Sequence, residues 1–459
     1  MSMASETLKQ ELDRFLEQYP ETRFLEPLMP DINGVLRGKR LGVDDFDKAF
    51  TKGLNVCGST PLLDTHGNAP ESIPYGANDG DPDVMALAVP GSLAPVPWVK
   101  TPTAQVLLES AALDGSPNPW DPRIVLRRAM QPLYDMGLHP VLATEMEFYL
   151  IKHDGEKFIP RFPRIPGSDL PQGGAQYGVM EDLYDVDEFI SDLLNICGEQ
   201  DIPASTALSE YAPGQFEVNL HHLDDPVLAC DHAVLLKRAI KAAARGNGLA
   251  ATFMAKPFAN ISGSGLHIHV SMLDDDGNNI FAGSSADGEF SIKLRHAIGG
   301  LSELMAQSMA IFAPNANSYR RFAPNAYVPS TPSWGPNHRD VALRIPLSPA
   351  AGTRLEHRVA GADSNPYLVV ASVLAGIHHG LTHQCDPGKM VQTREVLEHV
   401  VTLPIRWPTA LDTFDAGSIL PDYLGGEYHK LFSLCRREEE GDFNAQIPAK
   451  DFDWYLRAV

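Results

Sequence analysis

The chain has 459 residues, with 37 lysines and arginines against 59 aspartates and glutamates, a formal net charge of −22. Its 44% apolar and 21% charged residues are the balance of a folded globular protein of two or three domains, which excludes a disordered chain. The acidic excess argues against nucleic acid or anionic membrane as partners and is compatible with a cationic substrate.

The first residues, Met-Ser-Met-Ala-Ser-Glu, lack the basic start and apolar core of a signal peptide. Leu8, Leu12 and Phe15 predict a helix over 6–18. A Pro/Gly-rich stretch from 58 to 120, with short apolar runs at Met85–Val89 and Gln105–Leu108, reads as a small strand-rich domain. Asp121-Pro122 is an N-cap followed by a first-turn proline, and Gly137 is a stop. The domain boundary is therefore drawn near 118, giving 1–118 and 119–459. Pro132 predicts that the intervening helix is kinked or shortened. Asp187–Cys197 and Pro226–Arg245 read as further helices. The longest apolar run, Leu368 to Ile377, is about half the ~20 residues of a membrane span. Cys57, Cys197, Cys230, Cys385 and Cys435 form no CxxC pair, so neither a disulfide framework nor a thiolate zinc site is indicated. The expected location is the cytoplasm.

Five segments alternate with period 2. Glu145 and Glu147 share one face of Val141–Leu150, opposite Met146, Phe148 and Leu150. Gln215, Glu217 and Asn219 alternate with Phe216, Val218 and Leu220. His267, His269 and Ser271 alternate with Leu266, Ile268, Val270 and Met272. Arg354, Glu356 and Arg358 alternate with Leu355, His357 and Val359, and Asp340 and Arg344 oppose Val341, Leu343 and Ile345. One such strand is an ordinary solvated sheet face. Glu-x-Glu, His-x-His and Arg-x-Glu-x-Arg together suggest a charged cavity, whose facing carboxylates need cations to stay ionised. Carboxylates with an occasional imidazole suit Mg²⁺ or Mn²⁺, arginines suit carboxylate or phosphate ligands, and the combination points to phosphoryl chemistry. The Gly263-Ser264-Gly265 turn is a weak signal by itself.

Several segments resemble the glutamine synthetase superfamily in order and spacing. Phe253-Met-Ala-Lys256-Pro257 followed by Gly263-Ser264-Gly265-Leu266-His267-Ile268-His269 is similar to its ATP-binding signature, and Asn317-Ser318-Tyr319-Arg320-Arg321 to its glutamate-binding segment. Asn337-His338-Arg339, Arg344-Ile345-Pro346 and Arg354–Arg358 match its arginine segments, and Asn365-Pro366-Tyr367 matches the helix start after them. The resemblance covers roughly residues 20–455. It implies an α+β fold: a small N-terminal β-grasp domain and a large catalytic domain built on a curved, open antiparallel barrel with flanking helices. It also implies a homo-oligomer of two stacked hexameric rings, each site completed by a neighbour. Glu147, Glu210 and Glu217 are then ligands of one metal, and Glu145, His267 and Glu356 of the metal on the nucleotide phosphates. Gly263, Arg321 and Arg358 contact glutamate, Arg339 stabilises the transferring phosphoryl group, and His269, Ser271, Arg344 and Arg354 contact ATP. The implied reaction phosphorylates the glutamate γ-carboxylate and lets an amine attack the acyl phosphate, while a loop at about 314–336 closes over it.

Three departures matter, the first two for the nucleophile. Relatives using ammonia carry a loop glutamate where Asn325-Ala326-Tyr327-Val328-Pro329 has Tyr327, and an aspartate, from the neighbouring subunit, where Val56-Cys57-Gly58-Ser59 has Cys57. The segment between Tyr367 and Tyr423 has no tyrosine, so the adenylylated tyrosine of some bacterial members has no counterpart. The resemblance is greatest to the γ-glutamylpolyamine and γ-glutamylmonoamine synthetases, with Trp334 expected to wall an alkyl-amine pocket. An ordinary ammonia-using glutamine synthetase is the alternative. Which group takes the amine's proton is left open, with Tyr177 and the metal-binding carboxylates as candidates.

Overall fold

The apolar stripe of the first helix buries against a sheet. In the computed structural model, which describes residues 3–112, 114–173, 177–283, 290–322, 327–392 and 402–459, α1 (Met3–Gln18) packs Leu8, Leu12 and Phe15 into one apolar cluster with Phe46, Phe50, Leu25 and Val106. Phe46 and Phe50 come from α2 (Phe46–Thr51). The sheet comprises β1 (Phe24–Pro30), β2 (Leu36–Gly38), β3 (Leu41–Gly42), β4 (Leu54–Cys57), β5 (Asp83–Ala88), β6 (Ala94–Pro95) and β7 (Thr103–Ala111). Its order is β2-β1-β7-β5-β4; β1 and β7 are parallel and the other pairs antiparallel.

Asp121 caps α3 (Pro122–Asp135) by accepting from Arg123 N, as the Asp-Pro signal predicts. Pro132 does not shorten this helix, which runs on to Asp135 and ends before Gly137 at φ +68. Burial of Ile124, Val125, Leu126, Ala129, Met130 and Leu133 outweighs the one hydrogen bond that proline removes.

The second sheet is organised by the 16-residue β8 (Leu138–His153). Around it lie β9 (Phe158–Pro160), β10 (Ala204–Ser209), β11 (Gln215–Leu220), β12 (Ala250–Thr252), β13 (Leu266–Asp274), β14 (Trp334–Pro336), β15 (Leu343–Ile345) and β16 (Leu355–His357). The order is β10-β11-β8-β13-β16-β15-β14, antiparallel apart from β14 with β15. Two predicted strands are shorter than their alternation suggests. Asp340 lies in a turn before β15, and Arg354 and Arg358 flank β16, because the chain bends at Asn337 (φ +48) and around Gly352.

One face of this sheet, through Met146, Phe148, Leu150, Val218, Ile268 and Val270, forms the main core with the helices. These are α4 (Met180–Tyr184), α5 (Asp187–Glu199), α6 (Pro226–Gly246), α7 (Ile292–Phe312), α8 (Pro366–His383), α9 (Trp407–Asp415), α10 (Leu420–Leu424), α11 (Gly426–Ala445) and α12 (Ala449–Tyr455). Two antiparallel-dominated sheets with separately placed helices constitute an α+β fold.

A buried ion-pair network ties the first sheet, through β7, to these helices and α3. Arg123 donates to both carboxylate oxygens of Asp231 on α6, at 2.9 and 2.8 Å, and also reaches Glu109 on β7. Tyr367 of α8 donates to Asp231 at 2.6 Å, and Asp121 accepts from the backbone and hydroxyl of Ser110. Replacing Arg123 by alanine strands the Asp231 carboxylate in the core, so stability should fall by roughly 3–5 kcal/mol. Urea unfolding checks this, with Arg14→Ala on exposed α1 expected to be nearly neutral.

Candidate active site

Strand register assembles the charged face. β11 sets Glu217 opposite Glu147 and Asn219 opposite Glu145. β13 sets His267 opposite Glu145, β16 sets Glu356 opposite His269, and β15 sets Arg344 opposite Glu356. Directly opposed residues share a face, so the Glu, His and Arg positions of five strands converge. This face is not solvated: Glu217, His267, His269, Glu356 and Arg358 are all buried.

Two ligand groups share His267. The atoms offered by Glu145, His267 and Glu356 lie within 4.8 Å of one another, and so do those of Glu147, Glu217 and His267. His267 Nδ1 is 3.1 Å from Glu145 Oε2, and its Nε2 is 3.8 Å from Glu147 Oε1. The first group is the expected triad. In the second, His267 stands where Glu210 was expected. Glu210 opens the β10–β11 turn, where its carboxylate accepts from Tyr211 N at 3.1 Å, and it acts on Glu147 and Glu217 through its charge.

Crowding shifts these groups apart. Burial, then the charges of Glu145, Glu147 and Glu210, pushes Glu217 up to about 9. Burial and Glu147 push Glu210 up to about 7. Burial acts the same way on Glu356, but Arg358, His267 and His269 overcome it and hold this carboxyl down at about 2. Burial is likewise overcome at Glu145 by hydrogen bonds from His267 and His269, which lower it. The side of the face around Glu147, Glu210 and Glu217 thus has more negative charge than the protein's own cations neutralise. Carboxylate oxygens with one imidazole form a donor set for hard divalent cations, Mg²⁺ or Mn²⁺.

The glycine turn is part of this site. Gly265 N donates to Glu147 Oε2 at 2.7 Å, and a Cβ on Gly263 would stand 2.4 Å from the Arg321 side chain and 2.5 Å from Ala255 O. Only glycine lets the arginine lie along that backbone. Arg321 is buried and donates to Val359 O at 3.0 Å, with its Nε unpartnered among the described residues. Gln215, which the alternation placed on the polar face without a role, bridges Gly263 O and Glu147 Oε2 at 2.9 and 3.3 Å. Tyr149, whose hydroxyl donates to Ser262 O at 2.6 Å, backs the same turn. Asn317 exchanges hydrogen bonds with the Lys256 backbone, each 2.9 Å, and so joins two motif segments 61 residues apart.

Two of the remaining arginines pair with Glu356. Arg344 donates to Glu356 Oε2 at 2.7 Å and to Asn337 Oδ1 at 2.9 Å; Arg358 donates to Glu356 and, at 3.2 Å, to Arg339 O. Arg354 Nε donates to His269 Nδ1 at 3.2 Å, and His269 Nε2 lies 2.9 Å from Glu145 Oε1. Ser271 donates to Thr353 O at 3.1 Å, further along β13. Arg339 is exposed in the turn before β15, and its charge acts on Tyr177 and Glu210.

The three residues expected at the nucleophile lie apart. Tyr327 is exposed, its ring edge-on to Tyr211 at 6.4 Å; residues 323–326, just before it in the expected loop, lie outside the described residues. Tyr211 was not singled out in the sequence, because an aromatic in a Pro/Gly turn has no periodicity to give it away. Cys57 sits at the end of β4 in the other sheet, opposite Asp83 and beside Asp81. Trp334 is not a loop residue. It belongs to β14 and is buried among core residues, with Nε1 donating to Pro387 O at 3.0 Å and Phe290 against its ring. Its large apolar surface is used in packing, which leaves the expected pocket wall without it.

Residues 119–455 match the family model described as glutamine synthetase, catalytic domain. The chain is 40% identical to the gamma-glutamylputrescine synthetase PuuA of Escherichia coli (strain K12), over 98% of this chain and 94% of that one. It is 32% identical to the glutamate–isopropylamine ligase of a Pseudomonas species, over 78% of this chain and 77% of that one. The solved structure of GmaS without ligand superposes with a TM-score of 0.82 at 27% identity, covering 96% of this chain and 99% of that one. The matched catalytic domain, the full-length identity and the converging Glu, His and Arg strands agree: this chain belongs to the glutamine synthetase family.

Proposed function

We propose that this chain is an ATP-dependent glutamate–amine ligase that forms a γ-glutamyl amide with a primary alkyl amine, a polyamine or a monoamine, through γ-glutamyl phosphate. The observation that carries this reading is a carboxylate- and arginine-lined face beside the exposed aromatics Tyr177, Tyr211 and Tyr327, of which Tyr327 stands where the resemblance puts a loop acid in ammonia-using relatives. The names of the two curated relatives, a γ-glutamylputrescine synthetase and a glutamate–isopropylamine ligase, support it.

In this reading Glu145, His267 and Glu356, and Glu147 and Glu217 with Glu210, hold divalent cations that neutralise the phosphates and the developing charge. Arg321 and Arg358 orient the glutamate α-carboxylate against Gly263. Arg339 stabilises the phosphoryl group as it passes from ATP to the γ-carboxylate, and His269, Ser271, Arg344 and Arg354 line the nucleotide side. The amine, having given up its ammonium proton, then attacks the acyl carbon of the acyl phosphate; the C–N bond forms, the C–O bond to phosphate breaks, phosphate leaves and the nitrogen sheds a second proton to solvent. Tyrosine rings suit an alkylammonium better than a bare ammonium. They offer apolar faces to methylenes, about 0.8 kcal/mol each, and π-density to the cation.

The chain divides, in the same proposal, into a β-grasp-like domain over 1–118 and a catalytic domain over 119–459. Stacked hexameric rings would bring a neighbour's Cys57, with Asp81 and Asp83 beside it, to the amine end of the site, placing acids near a distal ammonium. Among the described residues no helix is long and apolar enough to cross a membrane, and a cytoplasmic location fits the amine-ligase reading. The deciding measurement is phosphate release with ATP, Mg²⁺ and glutamate against ammonia, monoamines, diamines, spermidine and spermine.

Removing the cations should expose the carboxylate repulsion. Glu210 and Glu217 are raised to about 7 and 9 in the folded chain, against ~4.3 unfolded. The stability they contribute is therefore fully present only below ~4.3 and is lost as pH rises through the folded values. Metal-stripped protein should accordingly lose thermal stability between about pH 5 and 9. Mg²⁺ or Mn²⁺ should restore more of it at pH 8.5 than at pH 6, and Glu147→Ala should abolish ligation. Equal stabilisation at both pH values would contradict the site.

The arginines should separate kinetically. Arg358→Lys keeps charge but loses the planar fork, so glutamate KM should rise; Arg339→Lys should chiefly lower kcat. An unchanged glutamate KM for Arg358→Lys would remove it from the substrate site.

For the nucleophile, Cys57→Asp with Tyr327→Glu should shift preference toward ammonia and penalise long amines. Competition between ammonia and amines at fixed glutamate measures the shift. Wild-type kcat/KM for ammonia at or above that for every amine would return the chain to the ordinary glutamine synthetases.

A further inference from the structure

Helices α7 and α8 touch backbone to backbone. A Cβ on Gly300 would stand 2.2 Å from Gly376 O, and one on Gly380 would stand 2.0 Å from His296 O. With no side chain between them, the pair has little freedom to slide. Glu303, one turn along α7 from Gly300, is thereby held against His379 of α8, its Oε2 3.2 Å from His379 Nε2. Gln384 then adopts the left-handed conformation (φ 54) and reverses the chain. Cys385 folds back under the helix end, its N–H donating to Gly380 O at 3.1 Å and its carbonyl lying 3.1 Å from His296 Nδ1. The ligand atoms of Glu303, His379 and Cys385 come within 4.8 Å of one another, and the His383 ring stacks on His379 at 4.2 Å.

We propose that Glu303, His379 and Cys385 form a binding site for a borderline-soft divalent transition metal, Zn²⁺ above all, separate from the catalytic face. One thiolate, one neutral imidazole and one carboxylate carry two negative charges and balance a dication. Three protein ligands leave one position of a tetrahedron for water. Binding expels the Cys385 thiol proton to solvent and takes the lone pair of a His379 nitrogen. The donor sets sort the metals: the catalytic face, of carboxylates and one shared imidazole, favours Mg²⁺ or Mn²⁺, whereas a thiolate favours zinc-like ions. Along α8, His379 lies about 20 Å from the Pro366 end, which follows the arginine strand, at ~1.5 Å per residue. A metal here pins the end of α8 to α7. It also anchors the downstream chain, whose Pro387 O and Val391 N hold Trp334 of β14.

The test uses full-length protein stripped by chelation, with excess Mg²⁺ filling the hard sites, titrated with Co²⁺. A thiolate-to-cobalt charge-transfer band in the near ultraviolet should saturate at one equivalent. It should persist in Cys57→Ser and vanish in Cys385→Ser. Glu303→Gln retains the thiol and should weaken Co²⁺ binding about tenfold or more; it carries the test if Cys385→Ser does not fold. Absence of the band in wild type, its survival in Cys385→Ser, or unchanged Co²⁺ affinity in Glu303→Gln would overturn the proposal.

Discussion

Mutual repulsion among Glu145, Glu147, Glu210, Glu217 and Glu356 is the constraint around which this protein is arranged. Two like charges about 4 Å apart at an effective dielectric near 20 cost ~4 kcal/mol, and strand register fixes Glu147 directly opposite Glu217. No side-chain adjustment removes that juxtaposition without giving up the apolar face of Met146, Phe148, Val218 and Ile268 on the other side of the same strands. The repulsion is divided unequally. Arg344 and Arg358 neutralise Glu356 internally, while Glu210 and Glu217 have no ion-pair partner of their own among the described residues, and burial among neighbouring carboxylates raises both. A site of this kind stores a preference for divalent cations in its backbone geometry.

Rigidity elsewhere supports this cost. The Arg123–Asp231–Tyr367 network connects α3, α6 and α8 and reaches β7 through Glu109 and Ser110, so movement of the small sheet strains the catalytic half. The glycine contacts between α7 and α8 are similarly unforgiving. Gln215 and Tyr149 hold the Gly263–Gly265 turn from behind, which positions Arg321 without themselves facing the substrate. By contrast Tyr177, Tyr211 and Tyr327 are exposed. In the proposed function the fixed part of the site serves phosphoryl transfer, and the accessible aromatic part the choice of nucleophile.

That separation gives a physical account of how one reaction admits different amines. Ammonium is small and strongly hydrated, and a site must replace its water with close anionic oxygens. An alkylamine brings methylenes whose burial offsets poorer hydration of its head group. Changing a loop acid to tyrosine would alter this balance without touching the buried carboxylates and arginines to which the proposed function gives the chemistry.

The period-2 alternation in β8, β11, β13 and β16 determined, by itself, which side chains share a face, because a strand offers only two. The Asp121-Pro122 cap and the helical stripe of Leu8, Leu12 and Phe15 were equally local, and both appear where expected. Family resemblance added the order of the motifs and the expected ligand roles. Register was beyond the sequence: that His267 serves both carboxylate groups follows from its position opposite Glu145 with Glu147 two residues along the same strand. Trp334 read as a pocket wall because composition cannot distinguish a loop tryptophan from one that pairs beside Leu343 and sinks into the core. Cys385, isolated in the chain, meets Glu303 only because glycines bring two helices into backbone contact. Local periodicity is written in neighbouring residues, whereas these juxtapositions depend on segments tens to hundreds of residues apart, whose meeting only the packed chain decides.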